Sequence, residues 1–171
     1  VADSGAVTVA IAMGSNQGDR VANLRRALAE MESRGVIADA RASHAYETPP
    51  EGAGDGGPFA NAAVSGLSRM DPRDLLESLL AIESTLGRVR VPGRHGGPRV
   101  IDLDLVLHGD AVIDEPGLSV PHPRFARRAF VLVPLAEIAP DLVEPRSGRP
   151  LHSLLAALAP QPLPRLGSLR K

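Results

Sequence analysis

Apolar and polar positions along the chain sort into two periods. The stretch "VTVAIA", residues 7 to 12, reads as a first strand. "GSNQGDR" follows as a turn, and Asp19 is placed to cap a helix running to about Arg34. Val21, Leu24, Leu28 and Met31 recur on one face of that helix, and Gly35 ends it. "VIADARASHAYE", residues 36 to 47, reads as one strand with broken alternation, and "TPPEGAGDGGP", residues 48 to 58, as a loop. "FANAAVSGLS", residues 59 to 68, is another strand. "DPRDLLESLLAIESTLG" is the clearest helix: Asp71 caps it, Pro72 takes the first helical position and Gly87 closes it. A basic, glycine-rich loop leads into "GPRVIDLDLVLHG", residues 97 to 109. There the alternation predicts a strand with Ile101, Leu103, Leu105 and Leu107 on one face and Asp102 and Asp104 on the other.

This order is β-α-β-β-α-β. It predicts an α+β, ferredoxin-like fold: an antiparallel sheet with helices on one face, plus a C-terminal extension over residues 110 to 171. The extension holds "VPHPRFARRAFVLVPLAEIAP" and the apolar "LHSLLAALA". The Pro-rich tail, residues 160 to 171, is expected to be loose. Neither a repeat nor a linker divides the chain, so residues 1 to 171 are read as one domain with a core of about 7 to 144.

Charge narrows the function classes. With 19 Lys and Arg against 20 Asp and Glu, the net charge is −1, which argues against a nucleic-acid or membrane-surface binder. The absence of cysteine excludes disulfides and thiolate metal sites. No apolar run approaches the roughly 20 residues of a membrane span. The first residues lack the basic start of a signal peptide, so a cytoplasmic protein is the simplest expectation.

The paired aspartates raise the chemical question, because two adjacent carboxylates repel and are costly to bury. Hard oxygen ligands two residues apart suit Mg²⁺ with phosphate oxygens. A bare Asp-x-Asp alone reads as the wet face of an edge strand. The neighbourhood shifts that weighing: Arg88, Arg90, Arg94 and Arg99 stand on the glycine-rich loop just before it. Arginines beside a metal-binding pair are what a polyphosphate requires, although a solvated loop or salt bridges to the aspartates would use the same residues. Asn61 sits in an apolar strand, where its amide suits either a flat heterocycle or the nearby backbone. His122, between two prolines in "VPHPR", is a ligand contact or a structural histidine. "GSNQGD" has neither a Walker A pattern nor a GxGxxG fingerprint and reads as a turn with a cap.

Together "GSNQGDR", "YETPP", "FANAAV", "ESTLGRVR", "GPRVIDLDLVLHG", "VPHPR" and "RAFVLVPLAEIAP" resemble 6-hydroxymethyl-7,8-dihydropterin pyrophosphokinase of folate biosynthesis. They stand in the family's order over roughly residues 7 to 144. The resemblance implies pyrophosphoryl transfer from ATP to the pterin hydroxymethyl group, with release of AMP and two Mg²⁺ ions as cofactors. It implies that Asp102 and Asp104 ligate both ions, and that Arg88 and Arg99 meet the phosphates and the transition-state charge. Thr48, Pro49 and Pro50 would line the pterin pocket. Asn61 would pair with the pterin edge, with Phe59 and Phe130 as its aromatic neighbours. Glu83, Arg88, Arg90, Arg99, His122 and Arg128 fall on the nucleotide side. The implied partners are ATP and the pterin alone, met by a monomer without nucleic acid or membrane.

Three departures stand out. "RHGGPR" replaces the common "RWGPR", so His95 and an extra glycine stand where a Trp closes over the pterin. Glu51 follows the two prolines where an apolar residue is common, and Pro123 follows His122. The loops 49–58 and 88–98 are expected to close over the substrates. A competing expectation is a non-catalytic ligand-binding or regulatory module on the same fold. Such a module has little reason to keep Asp102, Asp104, Arg88, Arg99 and His122 together.

Overall fold

The segment VTVAIAMGS forms strand β1 (Val7–Ser15), and its alternation turns Val9, Ile11 and Met13 to one face and Ala10 and Ala12 to the other. The computed structural model describes residues 5–50, 56–90 and 97–170. Helix α1 (Arg20–Ser33) starts where the Asp19 carboxylate accepts from the Ala22 amide at 3.0 Å. Helix α2 (Pro72–Thr85) starts likewise, with Asp71 accepting from the amides of Arg73 and Asp74 at 2.9 and 3.0 Å. Gly35 and Gly87, at φ of +66° and +96°, follow the two helices in the left-handed region that glycine adopts freely. Both helices bury an apolar stripe, Leu24, Leu28 and Met31 from α1 and Leu75, Leu79 and Ile82 from α2, against Val9, Ile11 and Met13.

The predicted strand 36–47 is two strands, β2 (Ala38–Ala42) and β3 (His44–Thr48). Both pair with β4 (Phe59–Ser68), and the register gains one residue between Ala42↔Val64 and Tyr46↔Asn61. Ser43 is that extra residue. Its amide donates to the Ala63 carbonyl at 3.0 Å, and its hydroxyl accepts from the Ala63 amide at 2.9 Å, so the bulge stays fully bonded.

Strand β5 (Asp102–His108) lies beside β1 and carries a second bulge. Ile11 faces Leu105 while Ala10 faces Leu107, which leaves Val106 unpaired. Ile101, Leu103 and Leu105 therefore pack under α1 and α2 as predicted, but Leu107 turns to the opposite face with Val106. Alternation breaks wherever a bulge inserts a residue, and nothing in the local composition marks the place.

Two short hairpins lie off the main sheet: β6 (Ile113–Glu115) with β7 (Leu118–Val120), and β8 (Val143–Glu144) with β9 (Arg149–Pro150). The C-terminal extension also supplies helices α3 (Ala129–Ile138) and α4 (Leu151–Ala156). Val131, Leu132, Leu135, Leu151 and Leu154 cover Ala10, Ala12, Ala63 and Leu107 on the second face of the sheet. The tail expected to be loose is held from Arg165 to Leu169. Strand β10 (Arg165–Ser168) adds to the edge of β3, Leu169 is buried, and Arg25 donates to the Ser168 carbonyl at 2.7 Å. The resulting antiparallel order, β10-β3-β4-β1-β5, is that of a ferredoxin-like core with one added edge strand.

Candidate active site

Two rows of residues cross the sheet on the α3 face. In one, Asn61, Gly14 and Asp102 stand side by side on β4, β1 and β5; in the other, Ala63, Ala12 and Asp104 do so. Gly and Ala in the middle strand leave open floor between the amide and the carboxylates. The Gly14 position is tight: a Cβ there would lie 3.0 Å from Asn61 Oδ1. Above this floor opens a cleft of about 680 Å³. Every predicted site residue except Glu83 lines it: Thr48, Pro49, Pro50, Phe59, Asn61 and Phe130 toward β3 and β4, and Arg88, Arg90, Arg99, Asp102, Asp104, His122 and Arg128 toward β5.

Glu83 acts from beneath. Its carboxylate, 1% exposed, accepts from Arg88 and Arg90 at 2.7 Å each and from the Leu103 amide at 2.7 Å. Burial pushes its pKa up, while that amide and the two arginines oppose the rise. Arg88 also donates to Asp102 Oδ1, and Arg99 donates to Asp102 Oδ2 at 2.5 Å. Asp102 is thus held between two guanidinium groups.

Asp104 lives in a different field. Burial raises its pKa to about 6, the charges of Asp102 and Glu83 add to the rise, and Arg128 and Arg88 pull against it. A carboxylate held this way gains from a divalent cation. The donor set fits Mg²⁺: two hard carboxylates facing a cleft, in a family of oxygen ligands that Mg²⁺ completes with water and phosphate. Among the described residues no three His, Asp or Glu side chains are grouped to hold a metal by themselves. Substrate oxygens would therefore have to complete the coordination.

His122 is fixed by its own backbone, whose amide donates to the Val106 carbonyl at 3.0 Å. Burial, helped by Arg128 and Arg124, pushes its pKa down, which favours the neutral ring. The Arg128 guanidinium lies 5.4 Å from the centre of the Phe130 ring. On the other side Asn61 Nδ2 donates to Thr48 Oγ1 at 2.6 Å, which orients the amide. A second cavity of about 260 Å³ shares Asp104 and His122 with the cleft and is walled by Leu76, Leu105, Leu118 and Pro123.

Sequence reasoning missed Asn16, Ala12 and Arg124 as cleft residues. Arg124 ends the quoted motif "VPHPR", and Asn16 lies in the turn assigned only a capping role, so both were adjacent to available signals. Glu51 and His95 lie outside the described residues, as do 51–55 and 91–96 of the two expected closing loops.

Residues 10–140 match the family model for 7,8-dihydro-6-hydroxymethylpterin-pyrophosphokinase. The chain belongs to this family. A family member from Methylorubrum extorquens, a 2-amino-4-hydroxy-6-hydroxymethyldihydropteridine pyrophosphokinase, is 43% identical over 156 residues, spanning 91% of this chain and 96% of the relative. The enzyme of the same name from Pseudomonas aeruginosa is 40% identical over 158 residues, spanning 92% and 96%. The crystal structure of Plasmodium falciparum HPPK-DHPS superimposes with a TM-score of 0.70 at 14% identity, over 91% of this chain and 45% of that longer chain. At that identity the likeness supports the ferredoxin-like fold alone.

Proposed function

We propose that the chain transfers the pyrophosphoryl group of ATP to the hydroxymethyl oxygen of 6-hydroxymethyl-7,8-dihydropterin, a step of folate biosynthesis. The O–Pβ bond forms, the bond from Pβ to the α,β-bridging oxygen breaks, and AMP leaves. One observation carries the reading. The Asn61–Thr48 amide floor and the Asp102–Asp104 pair open into a single cleft, joined across Gly14 and Ala12. A flat hydrogen-bonding ring at one end and a triphosphate at the other would meet in its middle.

In this reading Asn61 pairs with the pterin edge, with Thr48 fixing its orientation. Phe59 and Phe130 supply apolar faces, and Pro49 and Pro50 form the wall. Arg88, Arg99 and Arg128 hold phosphate oxygens as charge moves toward the leaving group. Arg90 extends that set, and His122, neutral, donates one hydrogen bond to the same group. Glu83 positions Arg88 and Arg90. The cavity beside Asp104 and His122, with Leu76, Leu105 and Leu118 in its wall, suits the nucleotide base. Two Mg²⁺ ions, held by Asp102, Asp104 and phosphate oxygens, would supply charge neutralisation and orientation of the triphosphate. Arg88 and Arg99 must then share or release Asp102, and the phosphates offer them new acceptors. Most of the rate comes from positioning and fixed charge, so no side-chain base is assigned.

The reading includes a cytoplasmic monomer. In support of the monomer, the exposed large apolar side chains among the described residues are scattered: Val89, Val112, Val143 and Leu166. No helix of the described residues is long and apolar enough to cross a membrane.

The test is a product assay with ATP, Mg²⁺ and the pterin, separating nucleotides and pterins. AMP formed only when pterin is present, together with a pterin carrying two added phosphates, is expected. ADP would mean single phosphoryl transfer and overturn the reading. Ligand binding without turnover would favour the binding module instead.

A further inference from the structure

The turn after β1 does more than cap a helix. Asn23, 4% exposed, fixes it from below: its Nδ2 donates to Ser15 Oγ at 3.1 Å and to the Gln17 carbonyl at 2.8 Å. From this anchored turn Asn16 reaches in two directions. Its amide donates to the Arg99 carbonyl at 3.0 Å, and its Oδ1 accepts from the Arg99 amide at 2.6 Å. Its Nδ2 lies against the other loop, so closely that a Cβ on Gly56 would sit 2.3 Å from it. Arg99 is on the phosphate side of the cleft, whereas Gly56 lies three residues before Phe59 on the pterin side. Arg20, which opens α1, donates to the Pro58 carbonyl and to Glu47, each at 2.8 Å, beside the strands of the pterin side.

We propose that Asn16, bonded to the phosphate-side backbone at Arg99 and packed against the pterin-side Gly56, is a positioning residue that links the two sides, so that each substrate strengthens the binding of the other. The proposal rests on the two-substrate reading of the cleft. A triphosphate that fixes Arg99 also fixes Asn16, and through it the segment leading to Phe59. Linkage requires the effect to be mutual: the factor by which nucleotide tightens pterin binding equals the factor by which pterin tightens nucleotide binding. Among the described residues the bonds of Arg20 go to Pro58 and Glu47 and none goes to Arg99, so it sets pterin affinity but carries no linkage.

The test measures pterin affinity with and without Mg²⁺ and a non-hydrolysable ATP analogue, in the parent chain and in Asn16→Ala, Gly56→Ala and Arg20→Ala. Asn16→Ala should cut the enhancement by on the order of tenfold, with the reciprocal measurement falling equally. Gly56→Ala forces the Asn16 side-chain amide to shift while leaving its backbone bond to the Arg99 carbonyl in place, and should also lower the enhancement. Arg20→Ala should weaken pterin binding in both states at an unchanged ratio. An enhancement retained in both Asn16→Ala and Gly56→Ala overturns the proposal. Amide exchange of the free protein gives a ligand-independent check: the Arg99 amide should exchange faster in Asn16→Ala, and unchanged protection would remove the link. If the parent chain bound neither ligand, the two-substrate reading would fall, while unchanged Arg99 exchange would still remove the Asn16–Arg99 link.

Discussion

The two faces of one strand do opposite work. Along β1, Val9, Ile11 and Met13 look toward α1 and α2 and are almost fully buried, whereas Ala10, Ala12 and Gly14 look toward α3 and the cleft. On β5 the same division puts Leu103 and Leu105 on the first face and Asp102 and Asp104 on the second. Large side chains on one face supply the burial that holds the sheet. Small ones on the other give up that burial and leave room for ligands and for two carboxylates that oppose each other. Period-two alternation lets a single short segment serve both ends, because away from the bulge at Val106 neighbouring residues face opposite sides.

The sharpest way to break this comparison is to cut into the dry face. Leu79→Ala, at a fully buried position under the sheet, should cost about 2–5 kcal/mol in chemical denaturation while leaving turnover per folded molecule unchanged. A mutation on the wet face should do the reverse. Arg99→Ala should lower kcat by about 10²–10³-fold in the product assay with little change in the denaturation midpoint. Equal losses of stability and turnover in either variant would dissolve the division.

A smaller effect sharpens it through pH. The Asp104 pKa is raised to about 6 from the ordinary 3.8, so between those values the folded chain keeps a proton that the unfolded chain has lost. Its contribution to stability is therefore greatest below about pH 4 and is lost as pH rises through about 6. The gap is on the order of 3 kcal/mol. Metal-free protein should show this fall in denaturation midpoint between about pH 4 and pH 6, and Asp104→Asn should flatten it. The smallest expected change is at the floor of the cleft. Gly14→Ala places a methyl 3.0 Å from Asn61 Oδ1, and should weaken pterin binding by roughly tenfold while nucleotide affinity stays near its parent value. Asn61→Ala should show the same preference, and equal losses for both ligands would remove Asn61 from the pterin side.

Much of this was legible in the chain because the signals are local. Asp19 and Asp71 cap the helices they precede, and the alternation of "IDLDL" places both carboxylates on one face without knowledge of the partner strand. The features that were not legible depend on residues far away. Ser43 breaks a strand because its hydroxyl bonds to Ala63, and Val106 bulges to keep β5 in register with β1. The tail reads as loose by its prolines, yet β10 pairs with β3, more than a hundred residues earlier. Asn16 reads as part of a turn because its partner, Arg99, is 83 residues on. The candidate site was legible as a set of residue types through the family resemblance. Its floor of small residues was not, since Ala12 and Gly14 carry no chemistry of their own.

Asp104→Asn tests the central claim most directly, because one variant reports on both faces. Chemical denaturation at pH 7 without metal, set beside turnover in the product assay, gives the two numbers. The account predicts a protein more stable than its parent and at least about 10²-fold slower, since the substitution relieves a buried repulsion and removes an oxygen that Mg²⁺ and the triphosphate need. A variant that is less stable, or that turns over at the parental rate, would contradict it.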